Sequence, residues 1–219
     1  MIKFIKIFLS IIISYSIFYI SLYSIAFYNI NFYKTEFQKH GIYNKFPNHD
    51  INKINNNVLN YLKNSEHELI KNFFNKREIE HLRDVKDLFS AFTKIFKILL
   101  IIFIILSFLL FFYSQSFKIF VIKILSSLIY GSIISISIIC ALGLLIFFDF
   151  DSIFIQMHNV FFKPDTWIFN FDDNIVNLYV EDFFYNIAIC LVKTILIISS
   201  SIAVTSIIIR KILTNRSKI

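Results

Sequence analysis

The stretch Ile98-Leu-Leu-Ile-Ile-Phe-Ile-Ile-Leu-Ser-Phe-Leu-Leu-Phe-Phe-Tyr113, followed by Ser114-Gln-Ser-Phe-Lys118 and a second apolar run from Ile119 to Phe148, decides the fold. At ~1.5 Å per residue the second run crosses a hydrocarbon core of ~30 Å as a helix, and the first does so once it is extended back to about Ile95. A five-residue link can only return the chain as an antiparallel neighbour. Working outward, Phe4 to about Tyr28 and Tyr185 to Ile209 supply two further apolar runs of the same kind. The chain is 57% hydrophobic, above the ~45–50% of soluble domains, and the excess is concentrated in these runs. The sequence therefore predicts an all-α integral membrane protein, with four transmembrane helices and a small, mainly helical extracytoplasmic cap. The expected division is helix 1 at 1–28, cap at 29–94, helix 2 at 95–113, a cytoplasmic turn at 114–118 and helix 3 at 119–148. A second outer segment at 149–184, helix 4 at 185–209 and a cytoplasmic tail at 210–219 complete it.

A net charge of +7 would suit a nucleic-acid surface, but its placement is a topology signal. Lys3 and Lys6 precede the first run, Lys118 and Lys123 flank the link, and Arg210, Lys211, Arg216 and Lys218 follow the fourth run. None of these short segments holds an acid. The positive-inside rule puts all three, and both termini, in the cytoplasm. Asp149 to Asp182 carries seven carboxylates and one Lys, so it faces outward. The first run is too long for a signal-peptide h-region and lacks a small-residue cleavage site, so it reads as a retained anchor. Cys140 and Cys190 lie inside apolar runs, where buried, inert thiols are expected.

Tyr15, Tyr19, Tyr23 and Phe27 recur every four residues as one stripe, either helix packing or a wall against acyl chains. Ser127, Gly131 and Ser135 form a small-xxx-small ridge for close helix approach. Lys193, inside the fourth run, is a functional candidate or snorkels to the outer interface. In the first outer segment Gly41 and Pro47 punctuate the chain, and Ile51, Ile54, Val58, Tyr61 and Leu62 follow a cap at Asn48 or Asp50. Asn75-Lys-Arg-Glu78 resembles a capping box. From it a helix can run unbroken through Tyr113, with His81 on the apolar face, Asp84 in reach of its ring and Arg77 one turn before.

Chemistry is concentrated in Phe154-Ile-Gln-Met-His158-Asn-Val-Phe161-Phe162-Lys-Pro164-Asp165-Thr-Trp167-Ile-Phe-Asn-Phe-Asp172-Asp173, continuing to Glu181-Asp-Phe-Phe184. His81 and His158 both fall on the outer side, near the level where cap meets bilayer. Histidine takes and returns a proton near neutral pH, which suits acid–base catalysis, although hydrogen-bonded interfacial histidines remain the alternative. His40, His49 and His67 read as solvated. No His-x-x-x-His or cysteine pair marks a metal centre, so none is assigned, although His81, Asp84, His158 and Asp165 would be its ligands. Neither a Gly-rich phosphate loop nor a Gly-x-Ser-x-Gly elbow occurs.

Three blocks carry a family likeness: Phe32-Tyr33 through Glu36-Phe37-x-Lys39-x-Gly41-Ile42-Tyr43; Arg77-Glu78-Ile79-x-His81-Leu82-x-Asp84-Val85-Lys86; and His158-x-x-Phe161-Phe162-x-x-Asp165-x-Trp167-x-Phe169 with Asp173 and Phe183-Phe184. In these, and in span number and cap placement, the chain resembles the bacterial lipoprotein intramolecular transacylases. It departs in lacking a proline near Tyr179-Val180. The resemblance implies transfer of the sn-2 acyl chain of a diacylglyceryl-modified lipoprotein to the α-amino group of its N-terminal cysteine. His81 and His158 become the catalytic pair. Tyr33, Glu36, Lys39, Arg77, Asp84, Phe161, Phe162, Asp165, Trp167 and Asp173 become substrate-binding or orienting residues. Asp84 is expected to orient His81, Lys39 and Arg77 to pair with Glu36 and Glu78 or to hold the anionic end of other groups, and Trp167 N–H, Asn159 or a backbone N–H to serve an oxyanion. It implies no cofactor, a monomer in membrane lipid, bacterial lipoproteins as partners and no nucleic acid. The rival is a non-catalytic membrane protein whose cap binds a lipid, peptide or protein.

Overall fold

Every regular element among the described residues is helical. The computed structural model describes residues 1–63, 68–70, 72–164 and 166–215. The elements are α1 (Ile2–Tyr28), α2 (Ile30–Lys39), α3 (Ile42–Lys45), α4 (Ile51–Lys63), α5 (Lys76–Phe112), α6 (Phe117–Phe148), α7 (Phe150–Phe161), α8 (Asn174–Leu178) and α9 (Glu181–Asn215). Helices α1, α5, α6 and α9 are long and apolar enough to cross a membrane. In α5 the apolar portion begins near Ile95. The turns before it carry Arg77, Glu78, Glu80, Arg83, Asp84, Lys86 and Asp87, too many charges for a hydrocarbon core. The chain forms two compact units. One contains Met1–Leu22, Thr93–Leu144 and the residues from Leu191 on; the other contains Tyr23–Phe92 and Leu145–Cys190.

The first unit is built on close helix approach. An added Cβ at Gly131 would meet the Ser10 carbonyl oxygen at 2.8 Å and Ile13 Cγ2 at 2.8 Å, so only glycine fits between α6 and α1 there. One turn on, Ser135 Oγ donates to Ser14 Oγ at 3.0 Å, and Ser127 one turn before is fully buried. The ridge is therefore a packing seam. Tyr19 of the aromatic stripe stacks on Phe96 at 4.4 Å and its hydroxyl meets Thr93 Oγ1 at 3.0 Å, which ties α1 to α5. Lys123 Nζ closes the α5–α6 link by donating to the Tyr113 carbonyl at 3.2 Å and to Ser114 Oγ at 3.1 Å. Ile98, Ile101, Ile104 and Phe108 line an exposed face of α5, as a lipid-facing helix requires. Cys140 is likewise exposed, which corrects the expectation of a buried thiol: an apolar run in a membrane helix has an outward as well as an inward face. Lys193 is exposed on α9 and has no acidic partner among the described residues.

The second unit has one aromatic-rich core, containing Phe37, Ile42, Ile51, Val58, Phe73, Leu82, Ile175, Leu178 and Phe183. Local signals start its helices. Asn29 Oδ1 accepts from the N–H of Phe32 at 3.3 Å to cap α2, and Asp50 Oδ1 accepts from the N–H of Lys53 at 3.0 Å to cap α4. Gly41 turns the chain between α2 and α3 at φ 65°, a conformation other residues adopt at a cost. The box before α5 is formed in both directions: Asn75 Oδ1 accepts from Glu78 N–H at 3.0 Å, and Glu78 Oε2 accepts from Asn75 N–H at 2.6 Å. The second Glu78 oxygen accepts from the N–H of Ile175 at 2.6 Å, so one buried carboxylate starts α5 and anchors α8. Around it, Asn174 Nδ2 donates to the Phe73 carbonyl at 2.5 Å and Asn75 Nδ2 to Asp173 Oδ1 at 2.7 Å. The break at Tyr179-Val180 needs no proline. Tyr179 leaves helical geometry at φ −114°, ψ 78°, and its buried hydroxyl is held by Asn55 Oδ1 at 2.9 Å.

Candidate active site

Four-residue spacing prepares the site before any tertiary contact forms. Phe150, Phe154 and His158 fall on one face of α7, with Phe162 just past its end, and the first turn is capped by Asp149 Oδ1 accepting from Ser152 N–H at 3.1 Å. The His158 ring lies 4.2 Å from Phe154 and 5.4 Å from Phe162, centroid to centroid. The helix stops at Phe161 because Phe162 turns extended, its N–H donating back to the His158 carbonyl at 2.8 Å. Pro164 follows, and the chain returns Trp167 to 4.8 Å from the His158 ring.

His81 enters from the second turn of α5. Its ring lies 6.1 Å from that of His158 at an interplanar angle of 21°, with Phe162 at 4.8 Å and Phe169 at 5.4 Å. Both histidines are 8% exposed. His158 Nδ1 contacts the Phe154 carbonyl at 2.7 Å. A carbonyl only accepts, so Nδ1 carries the hydrogen, and Nε2 of the neutral ring holds the free lone pair. Burial pushes the His158 pKa below its ordinary value, and the Phe154 bond pulls the other way. Burial first, then the charge of a protonated His158, pushes His81 down to about 4. Both imidazoles are therefore uncharged bases at neutral pH.

Two buried nitrogens in this cluster have no hydrogen-bond partner among the described residues: His81 Nδ1 and Trp167 Nε1. Leaving such a group unpaired costs ~1–3 kcal/mol, so an orphan needs a reason. Both lie close to the His158 ring, one on the His81 imidazole and one on the Trp167 indole.

The remaining candidates are distributed as follows. Phe162 and Trp167 join the histidines, and Phe161, half-exposed, packs edge-on against Phe92 at 6.1 Å instead. Asp84 does not orient His81. It sits one turn along α5, while the His81 ring turns into the aromatic cluster and leaves Nδ1 unbonded. Asn159, one residue past His158 and so about 100° round the helix, is exposed. Tyr33 is a core residue whose hydroxyl donates to the Ala26 carbonyl at 2.8 Å. Asp173 clamps its own loop, Oδ2 accepting from Asn170 N–H at 2.7 Å. Arg77 is exposed on the first turn of α5. Asp165, and His67 with it, lies outside the described residues.

Glu36 is buried, with Oε2 accepting from Asn186 Nδ2 at 2.7 Å and His40 Nε2 at 3.2 Å, and it forms an ion pair with Lys39 Nζ at 4.0 Å. The expectation of a solvated His40 is thus corrected. Its side chain is mostly buried and bridges Glu36 to Asp182, 3.9 Å from Nδ1. The i, i+4 spacing of Glu36 and His40 was the visible signal. Phe154 was equally legible four residues before His158, but Phe169 arrives from a loop with no periodicity to announce it.

Acid should loosen this site. The native state resists protonating His81 down to about pH 4, whereas an unfolded histidine protonates near ~6.5. Stability is therefore full above ~6.5, falls as pH drops towards 4, and has lost on the order of 3 kcal/mol below that. Unfolding midpoints in detergent at pH 7.5 and 4.5 should differ for the wild type, and differ less for His81→Phe. Equal pH dependence in both would refute the assignment.

Known proteins resemble this chain in family and in fold. Residues 4–184 match the model of the family described as lipoprotein intramolecular transacylase Lit. Among solved structures, the membrane integral lipoprotein intramolecular transacylase Lit from Bacillus cereus is similar at a TM-score of 0.80 and 20% identity, covering 100% of this chain and 98% of that one. Two structures of the same protein with a histidine replaced, by arginine or by alanine, each match at a TM-score of 0.76 and 20% identity. At that identity the likeness establishes the fold, that of a multi-pass integral membrane protein. An uncharacterized protein of Aquifex aeolicus (strain VF5) is 29% identical over 116 residues, which are 53% of this chain and 48% of that protein. The match thus spans about half the length of that relative.

Proposed function

Because the chain belongs to the lipoprotein intramolecular transacylase family, we propose that it moves the sn-2 acyl chain of a diacylglyceryl-modified lipoprotein onto the α-amino group of the same molecule's N-terminal cysteine, giving the lyso form. The observation that carries this reading is the pair of buried, near-parallel imidazoles 6.1 Å apart. The nitrogen attacks the ester carbonyl carbon and forms the C–N bond. The C=O electron pair moves to oxygen, and its return breaks the C–O bond to glycerol. An ammonium group becoming an amide nitrogen gives up two protons, and the departing glyceryl oxygen takes one. Two protons leaving one nitrogen account for two bases. His81 takes the first and releases it to water. His158 takes the second at Nε2, whose direction is fixed by the Phe154 bond, and hands it to the glyceryl oxygen. Depressed basicity favours that hand-over, since an imidazolium formed in a buried site is a strong acid. Ester-to-amide exchange runs downhill, and holding both reacting groups in one substrate supplies proximity. The protein acts as a monomer in membrane lipid with its termini in the cytoplasm and its site outside. It takes no part in nucleic-acid binding.

A crossover experiment tests the reaction. Purified protein is incubated with two diacylglyceryl lipopeptides, one carrying deuterated acyl chains. The product should be an isomer of each substrate with unchanged mass, an N-acyl group by tandem mass spectrometry, and no exchange of label. Loss of acyl mass would mean hydrolysis, and label exchange would mean transfer between molecules.

A further inference from the structure

We propose that Trp167 is a catalytic residue of this site, its indole N–H donating to the oxyanion that forms on the sn-2 carbonyl. The inference rests on the transacylase reading and adds the group that holds the developing charge. Trp167 Nε1 is buried and has no acceptor among the described residues, although a buried indole N–H ordinarily finds one. The ring stands 4.8 Å from that of His158, on the imidazole that takes the proton from the attacking nitrogen. An oxyanion must form one bond away from that nitrogen, so a donor beside His158 is where the chemistry needs one. Among the phenylalanines nearby, the side chains of Phe154, Phe162 and Phe169 have no donor, and the Phe162 backbone N–H is engaged by the His158 carbonyl. An acyl ester entering between the imidazoles displaces aromatic cover from both histidines, each 8% exposed, and brings its carbonyl oxygen within reach of the indole.

Trp167 is the only tryptophan in the chain, so its N–H can be followed alone. Replacement by β-(3-benzothienyl)alanine exchanges the N–H for sulfur in a ring of nearly the same shape, and Trp167→Phe removes the N–H with more of the ring. Both should lower turnover of a diacylglyceryl lipopeptide by about 10²–10³-fold with little change in half-saturation, since the bond is made in the transition state. Separately, a lipopeptide with a phosphonate in place of the sn-2 ester should move the single indole ¹⁵N–¹H resonance of the wild type downfield. A benzothienyl variant that turns over within about threefold of an active wild type overturns the role of Trp167 and leaves the transacylase reading standing. So does an indole resonance that stays unmoved by a phosphonate that inhibits. A wild type that transfers no acyl chain removes the reading itself, and this proposal with it.

Discussion

His158→Ala is expected to lower lyso-form production by about 10³–10⁴-fold, and His81→Ala by at least about 10²-fold. The difference follows from their surroundings. His158 has its Nδ1–H tied to the Phe154 carbonyl at 2.7 Å, so its free lone pair points in one direction. His81 has no such anchor, and in the proposed mechanism it takes the proton that water can also remove, given time. The measurement is initial rate on a diacylglyceryl lipopeptide in detergent or lipid, alongside an unfolding midpoint for each variant. Both variants leave a hole in an aromatic cluster, so a stability loss is expected too. His158→Gln keeps a polar side chain of similar reach and serves as the control for packing. Rates within about tenfold of wild type for either alanine variant would contradict the two-base account.

Glu78→Ala is expected to be the most destabilising single substitution outside the apolar, membrane-spanning portions of the helices. Its carboxylate is 1% exposed, and burial holds its pKa above the usual carboxylate range against the downward pull of backbone N–H groups of Asn75, Ile175 and Asn174. Alanine would orphan at least the first two of these and open a cavity. Together these cost about 3–5 kcal/mol, or roughly 10 °C in the unfolding midpoint for a chain of this size. The effect should extend to chemistry. Glu78 sits one turn before His81 and holds Ile175, which follows the segment carrying Trp167 and Phe169. Glu78→Gln, which keeps an acceptor for one amide, should lie between. Hydrogen exchange checks the mechanism: the amides of Asn75 and Ile175 should lose protection in Glu78→Ala. A midpoint unchanged by the substitution would mean the carboxylate does not bridge α5 and α8.

The membrane-spanning helices were legible because lipid leaves few options. Uninterrupted apolar runs, a short basic link and a capping box at Asn75 define α5 and α6 without reference to the rest of the chain. The same simplicity misled over Cys140, since hydropathy cannot separate the packed face of such a helix from the lipid face. The second unit was less readable. Its core joins Phe37, Ile42 and Ile51 to Ile175, Leu178 and Phe183, and the polar links Tyr179–Asn55 and Glu78–Ile175 span about a hundred residues. Periodicity reports only the neighbours one turn away. That is why the i, i+4 partner Phe154 was within reach of sequence reasoning while Phe169 was not. It is also why Asp84, one turn from His81, looked like its partner until the ring was seen among Phe162, Phe169 and His158.

The transacylase account is tested most directly on a reporter lipoprotein in a bacterial host that lacks other N-acylation. Its N-terminal lipopeptide would be analysed by tandem mass spectrometry, with and without this protein. The account predicts a peptide of unchanged total mass whose acyl chain has moved from the sn-2 oxygen to the cysteine nitrogen, formed by the wild type and by neither histidine-to-alanine variant. A diacylglyceryl peptide with a free amino group, recovered from cells in which the wild-type protein is folded in the membrane, would contradict it.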